Sequence, residues 1–369
     1  MRSFFETPLS AYSRVISGRL ARAMTSHPPP LCDPAILPTY ADAQAALARI
    51  EERLRLSPVR GPWKARMALA ERQALAAIDA YELPDEAVTI DARGRVVTGT
   101  YDLTHWKYAI GRSITLDALM ADPAALLAWL GTDREPLEEH VPGRREVWEL
   151  VPAIDAWSKA CQALPPSPPL VHAGRIALLW RQLAPLARGD AIASLLIGDR
   201  WGPGRWKGSH GGLTALGLKL AGGRWKIAQG AELDHLWLGA ILAGANAHLE
   251  LELRLRGYAQ RAAGHIRDRR RPGRLKELIL FAMARPAVTS SQVAKHLDLT
   301  SAGAIKLLST AEAEGLLIEW TGQASFRSYI VPVGGAAPSP LGRRVSAADP
   351  FEPTFWDELG DNAFLSEPR

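Results

Sequence analysis

Residues 297–317 read LDLTSAGAIKLLSTAEAEGLL, and the rest of the chain is organised around them. Thr300 and Ser301 offer side-chain oxygens at a helix start, Ala304, Leu307, Leu308 and Ala311 recur on one helical face, and Gly315 supplies a stop. Upstream, Leu275, Leu278, Ile279, Phe281 and Ala282 mark an apolar helix. Pro286 ends it, because proline lacks the backbone donor that a helix interior needs. Between the two, Thr289, Ser290 and Ser291 can cap a second helix with Val293, Ala294 and Leu297 inward, and Asp298 and Leu299 form a turn. Downstream lie two strand-like runs, 316–320 and 326–331, joined by the polar turn 321–325.

Three helices followed by a hairpin make a winged helix-turn-helix over 274–332, and residues 297–317 resemble bacterial winged-helix modules position by position. The resemblance implies binding to double-stranded DNA, with the start of the third helix in the major groove. Ser301, Gly303 and Lys306 would then approach the groove, Thr300 would cap the helix near a phosphate, and Arg327 in the wing would meet the backbone. Ala302 and Ile305 stand where such modules usually carry polar readers, so a packing or protein-docking module is the rival expectation. Two-fold symmetric binding is usual for the module, but no sustained heptad seam announces a homodimer.

A chain of 369 residues, 47% of them apolar, can bury the cores of two or three domains. The net charge of +5 fits a polyanionic partner, and its location says more than its size. Between 254 and 276 nine basic residues face the single acid Asp268; Arg269, Arg270, Arg271 and Arg274 are the candidates there for phosphate neutralisation. Cys32 and Cys161 are too few for a disulfide framework or a cysteine-based zinc site, which fits a reducing cytoplasm. No apolar run reaches the ~20 residues of a membrane helix, and the first residues have no apolar core for export. The expected protein is cytoplasmic and mainly α.

Residues 1–36 read as a basic, loosely ordered segment, and 37–265 as an all-α domain. Ala43, Ala46, Leu47, Ile50 and Leu54 form one helical stripe, and Trp63, Met67, Leu69, Leu75 and Ala76 the next. Val88-Thr-Ile90 and Val96-Val-Thr98 flank Gly94 as a small hairpin. Helices are expected over 116–130 and 146–163, with Trp148 and Trp157 in the core. The longest helix spans 232–265 and buries Leu236, Leu238, Ile241, Leu242, Leu249, Leu251, Leu253 and Leu255. His235 and His248 lie about 220° apart on it, too far around to share a metal, and read as ordinary packed or capping histidines.

A proline-leucine-valine helix leads into APLARGDAIASLLI, residues 184–197, a context that resembles Fic-type nucleotidyltransferases. Their loop supplies a histidine base, a metal-binding acid, a phosphate-cradling turn and arginines for triphosphate. Carried over, the histidine falls on Ala184, the phenylalanine on Leu186, the acid on Arg188, the asparagine on Asp190 and the arginines on Ile192 and Leu195; only Gly189 is kept. A base and phosphate donors are lost together, so the resemblance implies a Fic-like frame without its chemistry and without a cofactor. A closer likeness is to an uncharacterised bacterial family that joins such a helical domain to a C-terminal helix-turn-helix.

The loop WGPGRWKGSHGG, residues 201–212, carries Arg205, Lys207 and backbone donors but lacks the glycine-lysine-Ser/Thr order of a P-loop. A flexible loop anchored by two tryptophans is expected. Residues 266–273 read as an arginine-rich linker, and 333–369 as a linker with an acidic-aromatic tail that can dock on the basic surface. The function expected is DNA binding, as a transcriptional regulator. The rivals are a nucleotidyl- or phosphotransferase using the 201–212 loop with Asp190 as metal ligand, and an antitoxin-like interaction module that meets a protein partner through the hairpin.

Overall fold

A computed structural model of the chain describes residues 33–78, 88–90, 96–98, 109, 115, 120, 122–131, 147–187, 189–221, 225, 228–270, 273–321 and 327–333. Residues 1–32 of the basic N-terminal segment, the acidic-aromatic tail beyond Val333, Arg188, Arg271 and the 322–326 turn lie outside them, whereas Pro34–Ile36, expected to be loosely ordered, form a 3-10 turn that buries Ile36. The described residues are mainly helical, and none of their helices is long and apolar enough to cross a membrane.

The two predicted stripes form α1 (Leu37–Leu56) and α2 (Arg60–Ile78), which pack on each other. Asp33 accepts from the Ala35 N–H at 2.9 Å at the entry to the first. Strands β1 (Val88–Ile90) and β2 (Val96–Thr98) pair antiparallel, Val88 opposite Thr98. Helix α3 (Pro123–Leu130) begins at an Asp122 cap and stops at left-handed Gly131.

In α4 (Val147–Gln162) only one of the two predicted core tryptophans is inside. Trp157 is fully buried, whereas Trp148 is 75% exposed. Nine residues at about 100° each place the two on opposite faces, so one helix cannot bury both against one neighbour. Trp157 meets Trp180 of α5 (Pro169–Leu183) and Trp201 of α6 (Asp190–Trp201) edge-on, at centroid distances of 4.9 and 6.2 Å.

A 3-10 turn (Pro203–Trp206) and α7 (Leu213–Ala221) lead to α8 (Gly230–Arg267), the 38-residue helix against which α1, α2, α5 and α7 pack. Its buried face differs from the leucine pattern. Leu253 is exposed, because leucines two apart step about 200° and cannot share a side, and the face is completed by Trp237, His248 and Glu252. The closest approach is to α7. A Cβ on Gly217 would lie 1.7 Å from the Ala240 carbonyl oxygen, and one on Gly244 2.5 Å from that of Leu213.

The C-terminal unit runs α9 (Leu275–Met283), β3 (Val288–Thr289), α10 (Ser290–His296), α11 (Ser301–Ala313), β4 (Ile318–Glu319) and β5 (Ser328–Ile330). Thr289 and Gln292 close a reciprocal cap at the start of α10, and Thr300 accepts from the Gly303 N–H at 3.1 Å. The strands are shorter than the apolar runs suggested, and β3 joins them in a sheet ordered β3-β5-β4. The unit is fastened to the body by polar bonds. Arg66 of α2 donates to the carbonyls of Met283 and Arg285 at 2.7 and 2.6 Å, at and just past the C-terminal end of α9. Tyr258 of α8 donates to the Leu316 carbonyl at 2.8 Å.

Two outcomes follow from this packing. Gly217→Ala should cost more than about 3 kcal/mol in urea unfolding, since the clash is with backbone that cannot rotate away; a loss under about 1 kcal/mol would mean that the crossing is loose. Arg66→Ala should cost about 2–3 kcal/mol by removing charge-assisted bonds to carbonyls, and should speed proteolysis between α8 and α9; unchanged cleavage there would show that Arg66 does not fasten the unit.

Candidate functional site

Glu71 sits midway between Met67 and Leu75, four residues from each, so the apolar stripe of α2 carries its carboxylate into the core. It is fully buried. Oε2 accepts from the His210 N–H at 2.7 Å, the Gly212 N–H at 2.8 Å and the Ser209 hydroxyl at 3.1 Å, while Oε1 lies 3.0 Å from His248 Nε2. Burial works to raise its pKa, but the bond and pull of His248, with His210 and the Gly212 N–H, outweigh it and hold the group below its ordinary value.

Asp199 of α6 is the second buried carboxylate. It accepts from the Thr214 N–H at 3.1 Å, from the Thr214 hydroxyl and from Ser209 Oγ at 2.8 Å. Burial, and then the Glu71 charge, push its pKa up to about 7 against the opposing Thr214 and Ser209 bonds. A single hydroxyl proton on Ser209 faces both carboxylates, and a proton on Asp199, donated back to Ser209 Oγ, satisfies the second contact. Both acids stand at the start of α7, where the first N–H groups lack intrahelical acceptors and the helix dipole favours negative charge.

A cavity of about 470 Å³ lies against this cluster, with Asp199, Ser209 and His210 on its wall. Burial, then His248, Arg72 and Lys64, lower the His210 pKa against the pull of Glu71. Four cationic side chains also line the space: Arg55 of α1, Lys64 of α2, Arg200 of α6 and Lys207 after the 3-10 turn. Among the described residues no group of three or more His, Cys, Asp or Glu is placed to hold a metal ion.

The sequence-predicted residues fall in three places. Ser301, Ala302, Ile305, Lys306 and Ser309 form the outward face of α11, opposite buried Ala304, Leu308 and Ala311, with Thr300 and Gly303 at its cap. Arg269 is turned inward: its guanidinium pairs with Glu314, which His265 also meets at 2.7 Å. Arg274 pairs with Glu277 and Arg327 lies 3.7 Å from Glu319, all at the surface, and Arg270 is exposed.

In the 184–197 stretch, Ile192 and Leu195, standing at the family's arginine positions, are fully buried in the core. Ala184 and Ala187 take positive φ, 43° and 61°, beside Gly189 at 74°, and Asp190 accepts from the Leu186 N–H at 3.1 Å. Asp190 thus braces this turn. In the 201–212 loop Trp201 is buried and Trp206 half-buried, as anchors should be.

The reading of His248 as an ordinary packed residue missed its partner 177 positions away, along with Glu71, Asp199 and Ser209. A signal was present. Glu71, Asp199 and His248 each occupy a helical position whose neighbours three or four residues away are apolar or buried. No protein-family model matches the chain, and no curated protein matches it.

Asp199→Asn keeps the shape and the acceptor while removing the titration. A carboxyl whose pKa is raised on folding binds its proton more tightly when folded, so its contribution to stability falls as pH rises from about 4 through 7. The melting temperature of the wild type should therefore drop relative to the variant between pH 5 and pH 8. A constant difference would show that Asp199 does not titrate there.

Proposed function

We propose that the C-terminal unit is a winged helix-turn-helix that binds double-stranded DNA, and that the chain is a transcriptional regulator whose Fic-like body transfers no nucleotide. The observation that carries the reading is the outward face of α11. It presents Ser301, Ala302, Ile305, Lys306 and Ser309 to solvent while its other face is committed to the core. The order helix–strand–helix–helix–strand–strand, with β5 between β3 and β4, supports the assignment because it leaves the start of α11 clear of the sheet.

Lys306, Arg270, Arg274 and Arg327 are the phosphate-facing set. Exposed pairs such as Arg274 with Glu277 and Arg327 with Glu319 are worth little and exchange readily for phosphate. Arg269 belongs to the fastening of the unit through Glu314. For the body, the buried Ile192 and Leu195 and the alanine at 184 supply neither donors for phosphates nor a base.

The test is binding to random-sequence and promoter-region duplexes across a salt series. Tight, salt-steep binding with one preferred sequence is expected. Lys306→Ala should weaken binding to all duplexes and lower the salt slope by about one. Absence of DNA binding at low salt would overturn the reading, and an unchanged slope would place Lys306 away from the phosphates.

A further inference from the structure

The 470 Å³ cavity is charged in a way its own residues do not balance. Arg55, Lys64, Arg200 and Lys207 reach it from four different elements, and among the described residues none of them has an ion-pair or hydrogen-bond partner. Among the described residues several other arginines are matched: Arg175 with Asp234, Arg254 with Glu250, Arg269 with Glu314. The cavity's own acids are Glu51 and Asp199, and Asp199 is already engaged by Thr214 and Ser209. Gathering like charges without a counter-charge is unfavourable, and an anion in the space reverses the sign.

Two further atoms want an acceptor. Trp129 is 95% buried (5% exposed), forms part of the wall, and its indole N–H has no hydrogen-bond partner; Arg200 Nε is buried and unpartnered on the same wall. An orphaned buried donor costs about 1–3 kcal/mol. Both atoms belong to residues that line the cavity. The volume lies in the range of small-molecule sites, and Leu54, Leu196 and the Trp129 ring give an apolar side to set against the charged one.

We propose that this cavity binds a small organic polyanion, a frame carrying two or more phosphate or carboxylate groups with an apolar portion against Trp129. The site is separate from the 184–189 turn. That turn precedes α6, whereas Asp199 and Arg200 stand at its far end, about 15 Å along a helix of this length. The proposal is also independent of the α11 reading, because its test contains no DNA.

The test is titration calorimetry and thermal melting of the full chain with pyrophosphate, citrate and fructose 1,6-bisphosphate, against potassium chloride at matched ionic strength. Saturable one-to-one binding with a rise in melting temperature is expected from at least one of them, and the stronger arm distinguishes phosphate from carboxylate chemistry. Arg55 and Lys207 are exposed, so Arg55→Glu with Lys207→Glu should fold and lose at least about tenfold in affinity. Arg270→Glu, outside the cavity, should bind as the wild type does. Equal affinity in the double variant, or stabilisation reproduced by salt alone, would overturn the proposal, as would no saturable binding by any of the three.

Discussion

A carboxylate with no exposure to water must be answered by donors, and Glu71 is answered by two separate parts of the chain. Backbone N–H groups of His210 and Gly212, the Ser209 hydroxyl and the His248 ring converge on its two oxygens. Those bonds draw the 209–212 turn, the start of α7 and the middle of α8 onto α2. Removing the acid would leave several buried donors unmatched at once, which costs far more than the net worth of any one bond. The charged wall of the cavity stands on this arrangement, since Ser209 and His210 are held in place by it.

Close packing does the complementary work. Trp237 lies over Gly174 and Gly198, where a Cβ would come within 2.8 and 2.5 Å of its ring, and Gly217 lets α7 touch the backbone of α8. With α7 seated that deeply, its first turn faces Glu71 and Asp199 rather than solvent. Small residues at the crossings and acids at the helix start are one solution: the first permits the approach, the second satisfies the N–H groups that it buries.

The parts of this structure that were legible in the sequence are those fixed by neighbours in the chain. The caps at Thr289 and Thr300 and the stop at Gly315 are local chemistry, and α10 and α11, which they bound, are where the sequence puts them. Periodicity told which face of α1 is inside. It was silent on which long-range partner a polar residue on such a face would meet, as with Glu71 and His248, and a misjudged angle put Trp148 in the core. Arg269 carried the same ambiguity: composition marks a cationic run, but only the fold brings Glu314 beside it. The cavity was invisible for a similar reason, because its cations come from four elements spread over more than 150 positions.

Within about two turns of α2, about 10 Å of rise, Lys64 reaches the cavity, Arg66 holds carbonyls at the end of α9, and Glu71 anchors the 209–212 turn. Body and C-terminal unit therefore share a structural member rather than meeting at a hinge. Opening either one strips contacts from the other. A fragment cut between α8 and α9 would lose its neighbour's acceptors and donors together, so the short link around 266–273 joins two parts that also hold each other from the side.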